Sequence, residues 1–209
     1  MVDTPAVAAL RSRISDILMS DSCQRIDFRW GPYHIDGWAY TAVALSLVGA
    51  SRSLHLAVGH LPANQGAAYT AETNTLRLPN ANYAAATLPT GPNANLAFER
   101  LALVHECTHA ITDQMRRHPT ILARSDEVMA FVAESLFNVY EGSPFVPAAT
   151  DAISTAAHRI ARSIRNSPGA IIGPPADVQA LEAAITQSPT YSFIRFNPGF
   201  KYHNSGLPF

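Results

Sequence analysis

Residues 105–109 read His-Glu-Cys-Thr-His, set in an otherwise apolar stretch with Leu101-Ala102-Leu103-Val104 before and Ala110-Ile111 after. Two histidines and a glutamate drawn into a fold's interior are costly without a strong partner. On a helix, positions i and i+4 share a face, so both imidazoles can reach a single ion. Glu106, one residue round from His105, then lies beside that ion, where it can accept a proton from water and pass it on. The apolar pattern predicts one long helix from Asn95 to Arg117, ended by Pro119.

Imidazole and carboxylate donors in this arrangement suit Zn2+, whose catalytic sites combine three protein ligands with an open water position. Zinc lowers the pKa of a bound water to roughly 7. His105 and His109 are two ligands, and Glu106 is the expected catalytic base. A third histidine at the HExxHxxGxxH spacing is absent, because position 112 is Thr and position 115 is Met. His118 fits no such spacing. Three carboxylates on the next helix compete for the third place. Glu127 lies near the start of that helix, Glu134 two turns later on the same face, and Asp126 beside the expected N-cap Ser125. Asp126 is also placed to favour the helix N-terminus electrostatically.

An HExxH helix followed by a helix with a glutamate ligand resembles the gluzincins, the thermolysin-like clan of zinc metallopeptidases, and especially their compact members. In those the second helix reads approximately E-x-x-x-F-x-A, matched here by Glu127, Phe131 and Ala133. The resemblance covers about residues 53–140 and implies that Glu127 is the third zinc ligand. It also implies that the strand hairpin before the zinc helix forms a substrate-binding sheet edge. The chain departs from thermolysin four residues after the ligand glutamate, where an aspartate that orients a zinc histidine is replaced by Phe131. Asp113, one turn beyond His109, is the expected substitute for that role. Tyr191, Tyr202, His203, His158 and Arg159 are the candidates for stabilising a developing oxyanion.

The remaining sequence predicts a helix over Ala6–Met19, a strand over Gln24–Trp30, and a buried helix over Trp38–Val48. A strand follows over Ser53–Gly59. Ala68–Thr70 and Thr75–Leu78 then form a hairpin turning at Glu72-Thr73-Asn74. Asn80–Asn93 reads as a loop, and Asp126–Tyr140, Asp151–Arg165 and Asp177–Gln187 as helices. The fold class is therefore α+β, with a small, mostly antiparallel sheet on a helical core, a zincin-type active-site helix pair and extra C-terminal helices. A single domain over 1–209 is expected, in three parts: 1–52, 53–141 and 145–209.

With 15 Lys and Arg, 16 Asp and Glu, and no basic block, the chain is a poor fit for nucleic acid. Neither a signal peptide nor a membrane span is apparent, so the expectation is a cytoplasmic protein, or one exported without a signal peptide. Cys23 and Cys107 suggest neither a disulfide framework nor a thiolate metal site, and Cys107 should turn away from the metal. His55 and His60 flank a strand as structural or exposed residues. The expected function is a zinc-dependent hydrolase, a metallopeptidase acting on a peptide or protein substrate. The alternatives are an inactive or narrow zincin-like binding, regulatory or toxin-type module, and a zinc amidase or esterase.

Overall fold

The structure, a computed structural model, describes residues 3–49, 53–62, 65–88, 91–115, 120–142, 148, 150–172 and 175–203. Helix α1 (Pro5–Leu18) starts where Thr4 accepts from the Val7 N–H and a proline occupies the first turn. A short helix α2 (Asp21–Gln24), capped by Ser20, takes the beginning of the segment expected to be a strand. Only Asp27–Trp30 is extended, as β1, pairing antiparallel with β2 (Tyr33–Asp36). The side chain of Asp36 then caps α3 (Gly37–Val48) through the Ala39 N–H. This helix is not wholly buried. Tyr40, Val43, Ala44 and Leu47 are fully covered, whereas Trp38 is 82% and Leu45 55% exposed.

Strands β3 (His55–Val58), β4 (Ala68–Thr70) and β5 (Thr75–Leu78) form a three-stranded sheet in the order β3-β5-β4. The expected hairpin is present: β4 pairs antiparallel with β5 around a 3₁₀ turn, Ala71–Thr73. Asn74 completes the turn in a left-handed conformation (φ 45°), which asparagine tolerates better than most residues. Within the expected loop, Thr87–Leu88 (β6) and Gly91–Pro92 (β7) make a two-rung ladder.

Helix α4 spans Leu96–Gln114, and the predicted end at Arg117, like Pro119 and His118, lies outside the described residues. Strand β8 (Thr120–Leu122) follows, and α5 runs Ala123–Tyr140. Ser125 is not its N-cap. The helix begins earlier because the Ala123 N–H is satisfied by the Phe200 carbonyl at 3.0 Å, on a segment that sequence could not place beside it. Helices α6 (Ala152–Ile164), capped by Asp151, and α7 (Pro175–Gln187) flank strand β9 (Ala170–Ile171), which adds parallel to β1. A 3₁₀ turn (Pro189–Tyr191), helix α8 (Ser192–Phe196) and strand β10 (Lys201–His203) complete the described chain, with β10 antiparallel to β8.

The class is α+β. Its helices pack in series, α1 on α3, α3 on α4, α4 on α5, α5 on α6 and α6 on α7, with one apolar core between them. The strands among the described residues fall into four small separate sheets. No helix among the described residues is long and apolar enough to cross a membrane.

Candidate metal centre

Helices α4 and α5 pack face to face, and their polar contacts run in opposite senses along the pair. His105 meets Glu134, and one turn later on α4 His109 meets Asp126. Leu101, Val104, Val128 and Ala133 on the same two helices belong to the apolar core and are at most 4% exposed. Two histidines and two carboxylates thereby meet at the margin of this core, where they line a cleft.

His105, His109 and Glu127 each offer one ligand atom, all within 4.8 Å of one another, so this buried group could hold a metal ion. His105 Nε2 lies 3.4 Å from Glu127 Oε2, and His109 Nε2 lies 3.8 Å from Glu127 Oε1. At those distances the contacts are ion pairs, and Oε2 is buried without a hydrogen-bond partner. A buried carboxylate oxygen that lacks a donor is costly, and a cation between the three groups would satisfy it.

The opposite ring nitrogens are occupied. His105 Nδ1 contacts Glu134 Oε2 at 3.1 Å, and His109 Nδ1 contacts Asp126 Oδ2 at 2.7 Å. Asp126 is fixed in turn by the Thr112 hydroxyl, which donates to Oδ1 at 2.6 Å. Each ring is thus oriented with its Nε2 toward Glu127, the arrangement that metal-ligating histidines adopt. Phe131 packs edge-on against His105, with centroids 4.6 Å apart, and walls the site on its apolar side.

Electrostatics in the protein follow this geometry. Burial disfavours charge on both imidazoles, but Glu127 and Glu134 more than offset it and hold His105 well above the usual range. Asp126 and Glu127 do the same for His109, which is pushed up to about 9. Burial also works against ionisation of Glu127, yet the neighbouring histidines keep its carboxyl below the ordinary value. The pocket is therefore organised to stabilise positive charge between these side chains.

Glu106 lines the same cleft and stands next to the metal-competent group rather than in it. Burial raises its carboxyl, opposed by His105 and His109. Its Oε2 accepts the Tyr69 backbone N–H at 2.8 Å. The Tyr69 phenol reaches Asp113 Oδ2 at 2.7 Å, two turns farther along the same face of α4. Strand β4 is thus pinned to the helix at two points, and it forms the free edge of its sheet.

Asp113 consequently does not take the histidine-orienting role expected for it. Asp126 does, because the first turn of α5 projects across to His109 while Asp113 faces β4. Asp126 and Glu134, weighed as third ligands, each hold a ring nitrogen of a histidine instead. Replacing Asp126 with Asn should weaken metal affinity about 10–100-fold, while Asp113→Asn should leave it unchanged. Competition against a fluorescent zinc chelator reads both, and equal affinities in the two variants would contradict the assignment.

Of the remaining candidates, Tyr191 and Tyr202 line the cleft, and His158 and Arg159 are not among its lining residues. Arg159 instead approaches Asp177 at 3.6 Å. His203 ends β10, and its side chain lies outside what is described. Tyr191 packs against Phe131 with centroids 6.0 Å apart, and its phenol faces Glu127. Burial, reinforced by the Glu127 carboxylate, keeps that phenol protonated far above neutral pH, so it remains a donor. Cys107 is fully buried and outside the cleft, and His55 and His60 are exposed, as expected.

The cleft, about 590 Å³, is walled by β4, α4, α5, the start of α6 and the segment from Ser188 to Tyr202. At its α4 end Phe98 lies against the backbone of Gly66. A Cβ there would sit 2.8 Å from the Phe98 ring, so a larger residue would push that half-exposed ring aside. No protein-family model matches the chain, and no curated protein or solved structure compared with it does either.

Proposed function

We propose that this protein is a zinc-dependent hydrolase, most concretely a metallopeptidase. The observation that carries the reading is the convergence of two imidazole nitrogens and one carboxylate beside a separate, half-buried carboxylate, Glu106. Nitrogen and oxygen donors in a three-ligand set suit zinc, which when bound supplies a water of lowered pKa and polarises a carbonyl.

The chain's own residues have distinct parts in this scheme. His105, His109 and Glu127 hold the ion. Glu134 and Asp126 fix the two rings. Glu106, kept in place by the Tyr69 N–H, accepts the proton of the attacking water and delivers it to the leaving nitrogen. An extended peptide would lie in the cleft beside the edge strand β4, past the Tyr69 N–H that Glu106 already holds. The Tyr191 phenol, a permanent donor facing the ligand group, would hydrogen-bond the oxygen that gains charge.

This role for Tyr191 predicts that Tyr191→Phe lowers kcat about 10²–10³-fold with metal affinity unchanged. A parallel loss of bound zinc would mean that the phenol serves the metal group instead. The function itself is tested by digesting a complex peptide mixture with zinc-loaded protein and mapping new termini. Cleavage that disappears with chelator and returns with zinc supports the reading. Identical peptide maps with and without metal would overturn it.

A further inference from the structure

We propose that the cleft selects peptides carrying a basic side chain, Lys or Arg, over neutral and acidic ones. The proposal rests on the hydrolase reading for the location of the substrate, but its physical basis is separate.

The charge of the cleft is lopsided. Glu72, Glu106, Asp113, Asp126, Glu127, Glu134 and Asp151 all line it, whereas none of the chain's 15 Lys and Arg is among the described residues that do. The protein as a whole is nearly neutral, with a formal net charge of −1. The asymmetry is therefore local. Seven carboxylates outnumber the two charges of a divalent ion, and in a metal-loaded site the histidines are neutral ligands. A cleft of one sign with low-dielectric walls concentrates the field on whatever enters it.

Two of these carboxylates are exposed and stand on different walls. Glu72 follows the edge strand in the 3₁₀ turn, and Asp151 precedes α6. Neither belongs to the metal-competent group, and both bring their charge to the cleft wall, Asp151 while accepting from the Ser154 N–H and hydroxyl.

A second observation points to the same ligand chemistry. Phe131, Tyr191, Phe193 and Tyr202 line the cleft and touch in sequence, Phe131 to Tyr191 at 6.0 Å, Tyr191 to Phe193 at 6.4 Å and Phe193 to Tyr202 at 6.5 Å between centroids. Aromatic faces attract ammonium and guanidinium groups, and their carbon surface packs the aliphatic stem that carries such a head. Carboxylates and rings together match a Lys or Arg side chain better than an acidic or purely apolar one.

The experiment uses full-length Glu106→Gln protein, which keeps the ligand set but should not consume the probe. Three dansylated decapeptides, identical except for two central Lys, Gln or Glu residues, are titrated by fluorescence anisotropy with and without zinc. The Lys peptide should bind about tenfold or more tighter than the Gln peptide at low salt, with the Glu peptide weakest. The preference should shrink in about 0.5 M salt, where the screening length falls to a few Å. It should also shrink in a Glu72→Gln/Asp151→Asn background, where asparagine preserves the helix cap.

Equal affinities, an inverted order or no binding by any peptide would overturn the proposal, as would spermidine binding as tightly as the Lys peptide. The metal-free arm separates this inference from the hydrolase reading. The carboxylates that line the cleft are present with or without the ion, so the Lys-first order should persist. That order in a protein that never takes up zinc would sink the hydrolase reading alone. Stoichiometric zinc with no charge preference would sink this inference alone.

Discussion

Glu106→Gln protein should bind zinc as tightly as the native chain and lose about 10²–10⁴-fold in hydrolysis, equivalent to about 3–5 kcal/mol of transition-state stabilisation. Glutamine keeps the size of the side chain and an oxygen that can still accept the Tyr69 N–H, which now lies 2.8 Å from Oε2. The edge strand therefore stays pinned, and no ligand atom is removed. Only the capacity to take a proton is lost. The outcome is read from kcat on any peptide found in the digest, together with zinc content by mass spectrometry. A variant that loses metal as well as activity would place Glu106 among the ligands.

Glu127→Ala should have the opposite signature. It leaves two imidazoles without the carboxylate that closes the group, and affinity should fall by more than the roughly 10–100-fold cost of losing an orienting partner. Thermal stability reads this without any substrate. Native protein with zinc at a hundredfold over its Kd should gain about 2.7 kcal/mol, or roughly 5–10 °C in Tm for a chain of this size. In Glu127→Ala the zinc-dependent shift should vanish at the same concentration. A preserved shift would show that zinc stabilises the fold somewhere else, and Glu134, at 3.1 Å from His105 Nδ1, would be the next ligand to remove.

The group that could hold a metal ion was legible in part because some of its information is local. An apolar helix with His105 and His109 four residues apart reports its own geometry, whereas the resemblance to the gluzincins singled out Glu127 among three carboxylates. The hairpin around Asn74 was equally legible, since turn residues and alternation lie within a few positions of each other. What failed depends on distant segments. Ser125 has the chemistry of a cap, but the Phe200 carbonyl satisfies the Ala123 N–H and the helix starts three residues earlier. Asp113 and Asp126 are equivalent on paper. Their roles diverge only because β4 faces one and the ring of His109 faces the other.

The tail illustrates the same limit. Five residues competed for the role of donor, and pattern could not rank them. Pairing of Lys201–His203 with Thr120–Leu122 returns the C-terminal segment to the start of α5 and carries Tyr191 and Tyr202 to the cleft. Short strands such as Thr120–Leu122 and Ala170–Ile171 leave no period to detect, and their partners are remote in sequence.

The central claim is that one ion sits between three named side chains. Crystals of the native protein grown with zinc and measured on both sides of the zinc absorption edge test it directly. The account predicts a single strong anomalous peak within about 2.0–2.2 Å of His105 Nε2, His109 Nε2 and a carboxylate oxygen of Glu127, with Glu106 outside bonding distance. No peak between α4 and α5, or a peak ligated by other residues, would contradict it.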